Sequence, residues 1–201
     1  ADLKAPQGAT VSGATWSPNG QRIALYCHFD DATHVYVADA ATGVMRRVSR
    51  TPINAALFTR LLWAGNDRIA TLLIPAGRGP APTPPAVPPQ PNIKVTLPSK
   101  NPTRTYAALM ASEHDQALFE YLATAHLALL DANGGQPKLI GKPAMIRSID
   151  PSPDGKYVRV TTIVKPFSYI VPVSSFGTVE EIWDESGKVL AEIENRPLRQ
   201  G

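Results

Sequence analysis

The sequence predicts an all-β fold, a partial β-propeller of about three antiparallel four-stranded blades with a proline-rich strap and one inserted helix. Three observations predict it. Trp16-Ser17-Pro18-Asn19-Gly20 and Pro151-Ser152-Pro153-Asp154-Gly155 are two copies of one turn phrase. Each is followed by a strand-like apolar run and later by an Asp-to-Gly turn, at residues 39–43 and 184–187. Strand signals far outnumber helix signals and recur at blade-sized intervals. The phrase turns the chain for a physical reason. Proline presets φ, Asn or Asp bonds back to nearby amides, and glycine takes the positive φ that other residues resist.

The first blade is expected over residues 13–50. Residues 14–16 form a short strand, 17–20 the turn and 22–26 a second strand; His34-Val35-Tyr36-Val37-Ala38 alternates as a half-buried strand does, and 44–48 closes the unit. A degenerate second blade is expected over 55–140. It starts at Leu61-Leu62-Trp63, turns at Ala64-Gly65-Asn66-Asp67 and continues through 68–74. Its Asp131-Ala132-Asn133-Gly134-Gly135 hairpin comes only after an insertion at 75–123. The third blade, 144–195, takes strands at 146–150, 157–164, 179–183 and 189–193.

Within the insertion, residues 80–98 are dense in proline and nearly uncharged, which predicts extended polyproline-II and no sheet. Residues 103–124 read as the helix, with Thr103 or Thr105 as its cap and Leu109, Met110, Ala117, Leu118, Tyr121 and Leu122 as an apolar stripe.

Composition adds a constraint. A chain of 201 residues with 43% hydrophobic content can bury a core. Three blades, however, do not close a ring, which takes about 4–8; the expectation is a piece of a larger protein. The net charge is +3, and the 20 Lys and Arg are scattered, so no nucleic-acid groove is expected. No apolar run approaches the ~18 residues of a membrane span. No leader pattern fixes the compartment, and for a bacterial parent a periplasmic or secreted location is the expectation. The single cysteine, Cys27, reads as a small buried hydrophobe in its strand.

The search for chemistry finds no catalytic residues, no metal site and no cofactor motif. Val173-Ser174-Ser175-Phe176-Gly177 lacks the first glycine of a nucleophile elbow. His28, His34, His114 and His126 are isolated from one another. Ala76-Gly77-Arg78-Gly79-Pro80 leads into prolines and not into a phosphate-binding helix. Glu113-His114-Asp115 would splay around a helix and not converge.

Arg104-Thr105-Tyr106 with Glu113-His114-Asp115-Gln116-Ala117-Leu118-Phe119-Glu120-Tyr121 resembles a signature of glutamyl endopeptidases, a branch of the prolyl-oligopeptidase family of serine peptidases. Similar to that family too are Asp150-Pro151-Ser152-Pro153-Asp154-Gly155-Lys156-Tyr157, then Lys165-Pro166-Phe167-Ser168-Tyr169-Ile170-Val171-Pro172, and the tail Val179-Glu180-Glu181-Ile182-Trp183-Asp184. The likeness spans nearly the whole chain. It implies a propeller that caps a C-terminal α/β-hydrolase domain bearing a Ser-Asp-His triad, admits peptide substrates and belongs to an enzyme cleaving after glutamate. The hydrolase domain of the same parent is then the partner, and this chain holds no triad residue. Ser175 departs from the family pattern, which places a basic residue there.

Four residues are the substrate-binding candidates on this resemblance. Lys165, held extended by the following proline, is either a cation for a peptide carboxylate or a solvated rim lysine. Arg104, at the start of the predicted helix, opposes the helix dipole and calls for an acidic partner, structural or ligand. Tyr169, with Phe167 and Phe176, either lines a cavity or packs between blades. Ser175 marks the missing basic position. The alternative function is a propeller serving as an interaction platform or solute-binding module with no enzyme attached.

Overall fold

The computed structural model describes residues 2–86 and 109–200. Strands β1 (Thr10–Trp16), β2 (Arg22–His28), β3 (Thr33–Asp39) and β4 (Met45–Arg47) form one antiparallel meander in that order. The remaining strands are β5 (Leu61–Trp63), β6 (Arg68–Leu73), β7 (Thr124–Asp131), β8 (Lys138–Pro151), β9 (Tyr157–Val164), β10 (Gly177–Asp184) and β11 (Val189–Arg196), joined in one seven-stranded antiparallel run. Helix α1 (Glu113–Ala123) connects β6 to β7.

The seven-stranded run is two four-stranded blades that share β8. Its first part pairs with β7, from Leu129↔Lys138 to Thr124↔Met145, and its second part pairs with β9, from Ile146↔Thr162 to Pro151↔Val158. The changeover has a local cause. Gly141 adopts φ +65, and Gly141, Lys142 and Pro143 all fall opposite His126, so the strand buckles out of the β7 ladder. The described residues thus make three antiparallel four-stranded blades.

The two turn phrases fold alike, bond for bond. Gly20 N donates to Ser17 O and Gly155 N to Ser152 O, both at 2.8 Å. The hydroxyls of Ser17 and Ser152 accept from the amides of Arg22 (2.9 Å) and Tyr157 (3.1 Å). Asn19 and Asp154 each accept from the amide two residues on, at 3.1 Å. Trp16, Trp63 and Trp183 all lie in strands.

Apolar clusters fill both seams. Ala24, Tyr26, Val35 and Val37 of the first blade meet Ile69, Leu73, Ala128 and Leu130 of the second. Ala70, Leu72, Leu127 and Leu129, on the opposite face of the same strands, meet Val158, Val160 and Trp183 of the third. Strand alternation serves both seams at once. Polar pins lock the rims: Trp63 Nε1 donates to Thr15 O (3.0 Å), Arg22 pairs with Asp67 (3.2 Å), and Arg68 reaches Glu185 (2.5 Å) and Asp154 O (3.0 Å).

Two boundaries differ from the sequence expectation. Strand β1 starts at Thr10 and not at residue 14, because Gly13 is the pivot of a bulge between Ser12 and Thr15. At φ +64, with a Cβ that would lie 2.8 Å from the Tyr26 ring, only glycine fits there. Helix α1 starts at Glu113, after Leu109 and Met110, because Ser112 caps it. The Asp115 amide donates to Ser112 Oγ (3.2 Å) and the Ser112 amide to Asp115 Oδ2 (3.0 Å), a reciprocal capping box. The expected caps, Thr103 and Thr105, lie outside the described residues. So does the proline-rich stretch beyond residue 86, while residues 80–86 contain no strand.

Candidate functional site

An antiparallel meander puts its odd and even connections at opposite ends. The Ser-Pro and Asp-Gly turns occupy one end of the blades. Helix α1, between β6 and β7, and segment 165–176, between β9 and β10, share the other. Four phenylalanines hold these two together. Phe119 of the helix meets Phe167 and Phe176 edge-on, at centroid distances of 5.3 and 5.8 Å; the latter two stack at 5.4 Å, and Phe58 meets Phe119 at 6.5 Å. Edge-to-face contacts of this kind add about 0.5–1.5 kcal/mol per pair beyond area burial. Phe167 and Phe176 are therefore core residues, not a cavity wall.

The far end of α1 is capped from outside. The helix has no basic residue in its last turn. Arg78 supplies one: its guanidinium stacks over the Tyr121 ring at 4.3 Å and donates to the carbonyls of Tyr121 and Thr124. Tyr121 in turn donates its hydroxyl to Gly79 O at 3.1 Å. A cation placed there compensates both the dipole and the unpaired carbonyls of the last turn. Nothing in the local sequence around Arg78, glycines leading into prolines, points to this capping role.

Three of the four candidates lie on segment 165–176. Lys165 sits at its start, half-exposed, with Nζ 2.7 Å from Glu120 Oε2 of α1 and 5.8 Å from the Phe167 ring centroid. Tyr169 is partly buried in the same segment. Ser175 ends a short 3-10 turn, Val173–Ser175, and its carbonyl accepts from the Arg199 amide at 3.0 Å. The pockets lined by Arg147 and by Trp183 are bordered by none of the three. Arg104 lies outside the described residues.

The other polar groups singled out from sequence have structural work. His34 is buried with Nδ1 3.1 Å from Ser49 Oγ, and burial, with Arg47 nearby, holds its pKa below the usual histidine value. The Ser49 hydroxyl also accepts from the Val35 amide, so this Ser–His pair tethers strand β3. Asp115, in Glu113-His114-Asp115, is the partner of the Ser112 cap in the capping box, and hydrogen bonds from the Ala111 and Ser112 amides and the Ser112 hydroxyl hold its carboxyl low. Arg147, which no motif flagged, lines a pocket of about 180 Å³ on the outward face of the third blade.

No protein-family model matches the chain. Over 205 residues, 97% of the chain, it is 34% identical to a protein of Oryza sativa subsp. japonica named "Probable glutamyl endopeptidase, chloroplastic", and it spans 22% of that protein's length. This chain is similar to about a fifth of a glutamyl endopeptidase. Among solved structures, the β-propeller domain of the Trilobed protease from Pyrococcus furiosus superposes with a TM-score of 0.50 at 13% identity, covering 95% of this chain and 44% of that one. Pyrococcus horikoshii acylaminoacyl peptidase gives 0.52 at 14% identity, covering 95% and 26%. At such identities the likeness concerns the fold, and the fold of this chain is that of a β-propeller segment.

Proposed function

We propose that this chain is the non-catalytic propeller segment of a serine peptidase, gating access and helping to bind peptide substrates for a parent that cleaves after glutamate. The observation that carries the reading is the 34% identity maintained over 97% of the chain against a fifth of a glutamyl endopeptidase. On this reading the nucleophile, acid and base belong to an α/β-hydrolase domain of the parent, and the propeller end bearing α1 and segment 165–176 faces the peptide.

Lys165 is the one cation of segment 165–176. The phenylalanine cluster beneath it fixes the segment, so the ammonium is held out at low entropic cost. Its partner Glu120 is also half-exposed, and an exposed pair of this kind contributes only about 0–1 kcal/mol. A substrate carboxylate can therefore take Glu120's place with little penalty. Within a confined, poorly hydrated channel the attraction strengthens further.

Lys165→Glu in the parent enzyme tests this. kcat/KM on peptides cleaved after glutamate should fall roughly tenfold, equivalent to ~1.4 kcal/mol, while neutral peptides change little. Equal losses on both peptide classes would overturn the role of Lys165. Ser175→Arg should sharpen the preference for glutamate if the basic position matters.

A further inference from the structure

We propose that Asn133 is a self-modification site: its side-chain amide is lost as ammonia to attack by the Gly134 nitrogen, leaving an aspartate whose carboxylate pairs with Arg46 across the first two blades. The case begins with a repeat. Arg46 and Lys138 hold equivalent places, three residues after the glycines Gly43 and Gly135 that end the Asp-to-Gly turns. Arg46 lies opposite Val37 and Lys138 opposite Leu129, so each stands over a seam closed by a blade on both sides. Each also reaches the Asp-to-Gly turn of the following blade. Lys138 meets a carboxylate there, that of Glu185. Arg46 meets an amide: its Nη2 donates to Asn133 Oδ1 at 3.0 Å. Among the described residues Arg46 has no ion pair. The outer pin of the first seam thus differs from that of the second by one amide hydrolysis.

The dipeptide that carries this amide is suited to the reaction. A glycine after asparagine has no Cβ to keep its nitrogen from the side-chain carbonyl, and nothing lies within 4 Å of the Cβ position of Gly134. Gly134 N gives its proton to water and bonds to Asn133 Cγ, while negative charge gathers on Oδ1. Nδ2 then leaves as ammonia, taking a proton from water, and a succinimide ring remains. Water opens the ring, and opening at the carbonyl that faces Arg46 returns an α-linked aspartate. The net change is amide plus water to carboxylic acid plus ammonia, with no oxidant or reductant. Arg46 bears on the step that gathers charge, because its guanidinium already donates to the oxygen that becomes the oxyanion. The same contact then holds the product as an ion pair.

The chain's other Asn-Gly dipeptide, Asn19-Gly20, isolates the effect of the cation. Gly20 N donates to Ser17 O at 2.8 Å and Gly134 N to Asp131 O at 2.9 Å, so both attacking nitrogens must leave a similar turn bond. The asparagine side chains differ. Asn19 Oδ1 accepts from Ser17 Oγ (2.8 Å) and the Gln21 amide (3.1 Å), and its Nδ2 donates to Gln21 Oε1 (3.3 Å), all neutral groups of its own turn. Asn133 is exposed, and the partner of its side-chain oxygen is a cation from another blade.

The test is ageing of the full chain in neutral buffer, with peptide mapping by mass spectrometry reading conversion at both Asn-Gly sites in wild type, Arg46→Gln and Arg46→Lys. Asn133 should convert faster than Asn19. Arg46→Gln should slow Asn133 about fivefold, the size that one exposed cation allows, and leave Asn19 unchanged. Arg46→Lys, which keeps the charge, should retain most of the rate. Equal rates at the two sites, or an Asn133 rate indifferent to Arg46→Gln, would overturn the proposal. So would faster conversion in Arg46→Gln, which would mean that the guanidinium protects the amide by holding the turn. Asn133→Asp reads the product pin separately. It should raise Tm at low salt and lose that gain at high salt or in combination with Arg46→Gln. A gain that persists without Arg46, or none at all, would overturn the ion pair.

Discussion

Replacing Gly187 with alanine probes the crossover that lets β8 serve two blades. Gly187 lies in the β10–β11 turn at φ +85, and a Cβ on it would stand 2.1 Å from both the Cα and N of Gly141, the residue at which β8 buckles. Two penalties add. An L-residue in the left-handed region costs about 1–2 kcal/mol. The overlap is with backbone on both sides, more than about 1 Å inside a normal carbon contact, so the turn and the strand must move apart; overpacking of this kind costs about 1–3 kcal/mol. Their sum of about 2–5 kcal/mol predicts a fall in Tm of roughly 4–20 °C for a domain of this size. Gly134→Ala is the control. Gly134 has a comparable φ of +90 in the corresponding turn of the second blade, but nothing lies within 4 Å of its Cβ position. It should show the backbone penalty alone. Thermal unfolding followed by circular dichroism separates the two, and equal shifts for both variants would refute the claim that the Gly187–Gly141 contact sets the crossover.

Two further outcomes concern stability. His34 is held below its usual pKa by burial, so folding favours its neutral form; its contribution is complete above the unfolded value of about 6.5 and is lost as pH falls through the lower folded value. The slope of Tm against pH in that window should be shallower in His34→Gln than in wild type, and an unchanged slope would show that His34 is not its source. Ser112→Ala removes the capping-box hydroxyl of α1 and should destabilise by about 1 kcal/mol, with Ser112→Asp restoring most of it; full stability in the alanine variant would mean that the phenylalanine cluster alone sets the helix.

The sequence by itself determined the fold class, because its strongest signals are local. Ser-Pro-Asn/Asp-Gly closes its own hydrogen bonds, as the matched contacts of Ser17 and Ser152 show, and needs nothing distant to form. The near-continuous apolar run of β6 likewise announces a strand buried on both faces. The resemblance at Lys165 and its neighbours was legible too, as text.

Tertiary structure decided what no local signal carries. Gly13 and Gly141 lie outside the strands expected from sequence but are bulges inside β1 and β8, where a positive φ and the approach of the Tyr26 and Trp183 rings favour glycine. Arg78 became a helix cap because a segment more than 40 residues away ends beside it. Tryptophans that each stand in a strand just before a turn ended differently: Trp16 is 59% exposed and Trp183 is 7% exposed, the latter packed into the seam between the second and third blades. Arg147 gave no motif at all. Its direction comes from a one-residue slip in pairing, a long-range property settled only when distant strands meet.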